Sequence, residues 1–443
     1  MLQKFLTMKA LCGAKGGSSG GGSGGSGGGG GSSVSPKDVN FYDYDGTCLH
    51  AYTVKQAQAM TEMPPLPEQP GLICQGWNWS LEDIKAHNRA VDVGATYTTD
   101  DGTTRIYIHL EEGRTSPMLG VCPNGTVTVD WGDGTEPDVL TGTSTSTVVW
   151  TPNHEYGKAG DYVIRLTVTG DMALMGEEGF GCGSYILRFG AGNDNRNVVY
   201  RSSILKVEVG DAVSTIGVRA FYNCGSLASV TIPRSVTRIS SYAFAYCKHL
   251  EFVTIPDSVT HTSSYEFEGS NSLTSVAIPN GVSSISAYAF NNCDSLKSVI
   301  IPDSVTVISD YAFNGCVSLA SVVIPKNASS IMQYAFYRCV NLKSLTILSG
   351  IFSIPHNVFY NCGSLASVTI PSSVHSFGSS VFGSCGSVRF YDFSKHTKVP
   401  TLSDKNTFNN IPADCEIRVP AALYDTWIAA TNWATYASYI KAV

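Results

Sequence analysis

CGSLASVTIPRSVTRISSYAF, residues 224–244, is one turn of the pattern that decides this protein's architecture. Leu227, Val230 and Ile232 set a short strand that Pro233 stops. Val236 and Ile239 point inward on the return path, and Ala243-Phe244 closes the phrase. The closing aromatic recurs as Phe221, Phe244, Phe267, Phe290, Phe313, Phe336, Phe359 and Phe382, each 23 residues after the last. An unbroken period of this length is the signature of a solenoid. No turn buries its apolar side alone, so coils from about Ile204 to Tyr391 are expected to stack around one core, their strands about 4.8 Å apart in a parallel ladder.

Seven of the 13 cysteines occupy one slot of the repeat: Cys224, Cys247, Cys293, Cys316, Cys339, Cys362 and Cys385, with Ser270 in the missing place. One thiol per coil, all pointing the same way, is poor disulfide geometry. The column reads as buried free thiols acting as small apolar residues. No CxxC or CxxH pair accompanies it, so no metal is expected. Thr262 stands for the inward Ile, Glu266 for Ala and Leu348 for Pro. The coil carrying Thr262, Glu266 and Ser270 is expected to be looser than its neighbours.

The pattern Cys-x-x-Leu-x-x-Val-x-Ile-Pro-x-x-Val-x-x-Ile-x-x-x-Ala-Phe resembles the BspA-like, or treponemal-type, leucine-rich repeat. Two smaller units precede it. In residues 37–98, VNFYDYDGTCLHAYTV alternates around the turn at Asp45-Gly46. Phe41 to Thr47, Gly71-Leu72 and Gly76-Trp77 resemble the Listeria–Bacteroides repeat, which implies a small β-grasp-like module. In residues 99–203, VTVDWGDGT is strand, turn and strand, and HEYGKAGDYVIRLTVTG supplies another strand. Trp131 to Gly134, His154 to Tyr156 and Gly160 to Tyr162 resemble the PKD domain, an immunoglobulin-like β-sandwich; the stretch from Gly170 to Ser203 lies outside that pattern and reads as an extension. Residues 392–443 are expected to cap the open end, with a last strand in CEIRVP, residues 415–420, and Pro420 opening an amphipathic helix whose apolar side is Leu423, Trp427, Trp433, Tyr436 and Ile440. The expected fold is thus mainly β and multidomain: β-grasp-like module, sandwich, leucine-rich-repeat solenoid and helical cap.

A chain of 443 residues exceeds one compact core. Its net charge of −7, with no cluster of Lys and Arg, argues against nucleic acid as partner. No apolar run is long enough for a membrane-spanning helix. Lys9 interrupts the apolar N-terminus, so no signal peptide is expected. Residues 13–33 are almost all Gly and Ser and read as a linker or tail. No HExxH or phosphate-cradling loop occurs, GxSxG occurs only inside the glycine-serine tract without strand or helix context, and the histidines are scattered, so neither an enzyme nor a cofactor is expected. Asp43, Asp45 and Glu82, like Asp130, Asp133 and His154, fall in turn phrases and read as structural.

Two columns between the core positions are free to recognise something. One is the hydroxyl-rich outward face of the strands, including Ser229, Thr231, Thr254, Ser275, Ser298, Thr346 and Thr369. The other is Tyr242, Tyr265, Tyr288, Tyr311 and Tyr334, just before the Ala-Phe pair; tyrosine suits interfaces because its body is apolar and its tip polar. The resemblances imply surface adhesion and recognition, with a host-surface or other extracellular protein or glycan as partner. The expectation from sequence is a bacteriophage virion component (fibre, decoration or host-binding protein) docked through its glycine-rich N-terminal segment; the alternatives are a bacterial cell-surface adhesin and a structural spacer.

Overall fold

The computed structural model describes residues 37–86, 90–113, 115–174, 186–188, 203–348 and 350–443. The glycine-rich tract, Cys12, Cys182 and most of the stretch from Gly170 to Ser203 lie outside them.

Strands β1 (Val39–Tyr42), β2 (Cys48–Tyr52), β3 (Leu72–Trp77) and β4 (Val91–Thr99) form a sheet in the order β2-β1-β4-β3. β1 pairs β4 in parallel, and the two flanking pairs are antiparallel. The Asp45-Gly46 turn closes the first hairpin, Gly46 at φ 82°. Short helices α1 (Val54–Gln58) and α2 (Leu81–Ala86) accompany the sheet. Thr53 and Gln56 form a capping box that starts α1. Phe41, Trp77, Val91, Val93 and Tyr97 fill a core of the module's own.

The second unit contains β5 (Thr104–Leu110), β6 (Met118–Asp130), β7 (Asp138–Thr143), β8 (Val149–Trp150), β9 (Gly160–Leu174) and β10 (Leu187–Arg188). The Trp131-Gly132-Asp133-Gly134 phrase turns β6 into β7. Tyr156 donates to the Trp131 carbonyl at 2.9 Å, Trp131 Nε1 to Asp138 at 2.9 Å, and the His154 ring stacks on Trp131. Gly170 to Leu174, expected to leave the pattern, instead continues β9.

These strands do not close off a separate body. β11 (Ile204–Glu208) pairs antiparallel with β5 and parallel with β13 (Ser229–Thr231), and β12 (Val213–Ile216) runs beside the end of β9. One apolar core therefore extends from Ile106 to Ile440.

In each coil Leu, Val, Ile, Ala and Phe of the repeat are buried. The Phe rings stack along the axis with centroids 5.1–5.6 Å apart. The thiols do more than fill space. Cys247 Sγ donates to the Phe221 carbonyl of the previous coil at 3.1 Å, and the contact repeats from Cys293, Cys316, Cys339, Cys362 and Cys385. Ser270 Oγ makes the same bond to Phe244 at 2.8 Å, so the slot selects a small donor as well as a small volume. In the departing coil no strand forms near Thr262, while Arg238–Ile239 and Ser284–Ile285 are strands on either side. Glu266 is fully buried there. Burial pushes its carboxyl up to about 8.

The strand expected in CEIRVP forms as Glu416–Val419, but the expected end of the repeat and the length of the helix are corrected. The ladder does not stop at Tyr391: Phe390–Asp392 pairs Glu416–Val419, which pairs Ile440–Ala442, all parallel. The register Tyr391↔Ile417 is 26 residues, one insertion of three, and Ile417↔Ile440 returns to 23. Ala421–Tyr439 is not one helix but a 3-10 turn, helix α3 (Tyr424–Ala429) and a second 3-10 stretch, Trp433–Tyr439. Ala430 is extended and Asn432 is left-handed (φ 67°), which breaks the helix and lets Trp427 and Trp433 both turn onto Phe393.

Candidate binding surface

Each coil turns a corner after its second short strand, and the backbone there enters the left-handed region. The slot runs Arg219, Tyr242, Tyr265, Tyr288, Tyr311, Tyr334, Asn357 and Ser380, with φ between 54° and 62°. Asn tolerates this conformation; a bulky side chain costs about 1–2 kcal/mol there. Five consecutive coils nevertheless carry Tyr. Their rings stack face to face, centroids 4.5–4.7 Å apart and planes within 4–9°. An aromatic pair contributes about 0.5–1.5 kcal/mol beyond burial, which roughly offsets the backbone strain. All five are half-buried. Their faces are taken up by one another, so the column presents ring edges and phenol oxygens, one per coil. Burial raises the Tyr242, Tyr288 and Tyr311 phenols above their ordinary range.

Two extensions of this surface were not singled out from sequence. Arg219 lies in the same slot one period before Tyr242, and its guanidinium carbon sits 5.3 Å from that ring's centroid. At the other end Tyr337 and Tyr360 stack at 5.3 Å, one residue after the closing Phe, and Tyr334 meets Tyr337 edge-on. In the same slot of earlier coils, Asn314 donates to Asn291 at 2.6 Å and Asn291 to Glu268 at 2.8 Å. The 23-residue spacing of Arg219 and Tyr242, and of Tyr337 and Tyr360, was the available signal.

The hydroxyl face is divided. Thr346 and Thr369 are exposed, as expected of outward positions. Thr231 and Thr254 are not: the β-grasp-like module docks over them and leaves them 2% and 5% exposed. Asn78 Nδ2 donates to the Ile255 and Ala277 carbonyls, Trp79 Nε1 to Ile278 at 3.0 Å, and Arg234 Nη2 to Trp77 at 2.8 Å. Tyr42 packs on Phe252. The Thr231 and Thr254 hydroxyls have no hydrogen-bond partner in this seam. These two residues are therefore corrected from an open surface to an internal contact. Period alone could not reveal it, because the covering residues lie more than a hundred positions earlier. Ile300 gave a hint: it occupies the outward slot of Thr231 and Thr254, and it packs on the module's core.

Among the described residues no group of His, Cys, Asp and Glu is placed to hold a metal ion, and no helix is long and apolar enough to cross a membrane. Asp43 accepts from Tyr97 and Gln69, both at 2.6 Å, as a structural carboxylate.

Residues 195–319 and 283–411 match the BspA type leucine rich repeat region, in six copies. The match lies in the repeat region and does not confirm the PKD-like and Listeria–Bacteroides resemblances of the two preceding units. Among solved structures, the leucine rich repeat protein of T. pallidum is similar at 30% identity over 34% of this chain and 72% of its own, with a TM-score of 0.33. A leucine rich cell surface protein of Faecalibacterium prausnitzii is 24% identical over 57% of this chain and 89% of its own, TM-score 0.27. A leucine-rich repeat protein of Bacteroides ovatus is 20% identical over 67% and 90%, TM-score 0.35. No curated protein matches the chain.

Proposed function

Because the repeat region of this chain belongs to the BspA type leucine rich repeat family, we propose that the protein is a non-enzymatic binding protein displayed at a bacterial surface, and that it holds its partner on the solenoid. The observation that carries the reading is the tyrosine column. The corner requires a left-handed residue and Asn357 satisfies it without strain, yet five coils carry Tyr and expose its polar edge. The stack does not require Tyr, so recognition is the better reason for it. Thr346 and Thr369 extend the available surface on the strand side. The partner class is an extracellular protein or glycan of a host. The virion reading drawn from the glycine-rich segment has no support in the comparisons, and that segment lies outside the described residues.

The test uses the whole chain. Labelled protein is applied to mammalian epithelial cells and to immobilised extracellular-matrix proteins, beside a Tyr288→Asn/Tyr311→Asn double variant. Binding that falls at least about tenfold in the variant, at unchanged thermal stability, supports the column as the contact surface. Equal binding removes the column from the proposal, and a wild-type chain that binds nothing favours the spacer.

A further inference from the structure

A cleft of about 460 Å³ lies where the rim of the β-grasp-like module meets the strand face of the solenoid. It falls within the range of small-ligand sites, about 300–1,000 Å³, and it sits where two units join, a common place for them. Its wall on the module side is Tyr42, Asp45, Asp92 and Lys37; on the solenoid side it is Glu251, Phe252, Ser275 and Lys297, and its floor is the rung Ser298–Ile301.

This rung is irregular. Its neighbours Ser275–Ala277 and Ser321–Ile324 are strands, whereas Ser298–Ile301 keeps one β-bridge, Ser298 to Ser321. The parallel ladder is interrupted at the cleft floor, beside the point where Ile300 meets the module's core. The opening is therefore a product of docking: the module ends at Ile300, and the strand face emerges from beneath it.

The lining is chemically mixed. Asp45 and Glu251 accept hydrogen bonds, Lys37 and Lys297 donate them, and Thr274, Ser275 and Ser298 do both. Asp92 is held from within by Asn40 Nδ2 at 3.0 Å and is 5% exposed. The charges nearly balance, which disfavours a strongly anionic or cationic ligand. Tyr42, half-buried and backed by the buried Phe252 ring at 5.4 Å between centroids, adds an aromatic wall. A ligand matching this set carries many groups that donate and accept at once, no net charge, and an apolar C–H face to lie on a ring. Those are the properties of a pyranose.

We propose that this cleft binds a short neutral oligosaccharide, the Asp45 and Glu251 carboxylates and the two lysines bonding its hydroxyls and the Tyr42 ring covering one ring face. The site is separate from the tyrosine column and stands or falls independently of it.

The whole chain is screened on an array of neutral and sialylated oligosaccharides, and the strongest neutral probe is titrated by calorimetry. Lys297→Ala and Glu251→Gln, both exposed side chains outside any core, are each expected to weaken it about tenfold, the size of one lost charged hydrogen bond, at unchanged melting temperature. The Tyr288→Asn/Tyr311→Asn variant is expected to bind it as the wild type does. The proposal is overturned if no neutral oligosaccharide binds at millimolar concentration, if only sialylated probes bind, or if binding is lost in the tyrosine variant and kept in the two cleft variants.

Discussion

Arg105 and Glu208 face each other across the seam between β5 and β11, Arg105 Nη1 to Glu208 Oε2 at 3.3 Å, as direct cross-strand partners. The pair ties three units together. Arg105 also donates to the Gly71 carbonyl of the β-grasp-like module at 2.9 Å and pairs with Asp100 and Asp101. Glu208, nearly fully buried, accepts Tyr107 at 2.9 Å and Lys206 at 2.7 Å, and the Lys206 ammonium lies over the Tyr44 ring.

Glu208→Gln keeps the volume and removes the charge that Lys206 and Arg105 share. Breaking a buried pair from one side costs about 3–5 kcal/mol. Arg105 retains Asp100 and Asp101, so the low end, about 3 kcal/mol, is expected in urea unfolding. A loss under about 0.5 kcal/mol would show that the hub contributes little to stability.

Glu266 makes stability fall with pH. Its buried carboxyl titrates at about 8 rather than 4.5, with Oε2 accepting only from the Ser263 amide and Oε1 unpartnered. A raised carboxyl favours folding below the unfolded value, and that advantage is lost as pH rises from about 4.5 to about 8. The scale is about 4–5 kcal/mol. Glu266→Gln and Glu266→Ala are expected to flatten this dependence, measured by denaturant titration at about pH 5 and about pH 8. An equal slope in wild type and both variants would refute it.

The thiol column should behave as donors. Cys316→Ser preserves the bond to the Phe290 carbonyl, as Ser270 does to Phe244, while Cys316→Ala leaves that carbonyl to the Cys293 amide alone, at 3.3 Å. Ser is expected to be the milder change by about 1 kcal/mol. Burial also holds the Cys316 thiol well above its usual range, so alkylation at this site should require unfolding. Labelling in the native state, or a milder Ala variant, would return the column to plain apolar packing.

Gly94 sets how closely the module can dock. A Cβ there would meet Thr254 Cγ2 at 2.6 Å. Gly94→Val is expected to lift the module from the coils and open Thr254 to solvent, read as new protease cleavage in residues 37–98 with the solenoid left intact. An unchanged digestion pattern would mean that the seam adapts.

Asparagine in the tyrosine slot should be nearly neutral for stability. Tyr288→Asn relieves about 1 kcal/mol of backbone strain and loses two stacking contacts of similar total worth. A melting temperature that drops sharply would place the column in packing rather than recognition.

The repeat was legible because a solenoid copies one local solution: every coil faces the same neighbours, so Leu227, Val230, Ile232 and Phe244 announce the core through period alone. The Asp45-Gly46 hairpin and the Trp131 to Gly134 turn were legible because their chemistry is local. The CEIRVP strand was legible, but that it continues the ladder beyond Tyr391 was hidden by an insertion of three residues, which shifts the period without ending the stack. The broken C-terminal helix was hidden because an amphipathic pattern does not reveal that Asn432 turns left-handed to seat two tryptophans. Sequence by itself thus determined the fold class, the direction of the core and the two outward columns. Only the tertiary structure decided which parts of those columns remain outside. Thr231 and Thr254 are covered, Thr346 and Thr369 are open, and a cleft exists at Ser298, because docking buries residues according to where distant segments meet in space, and no periodicity within the repeat encodes that meeting.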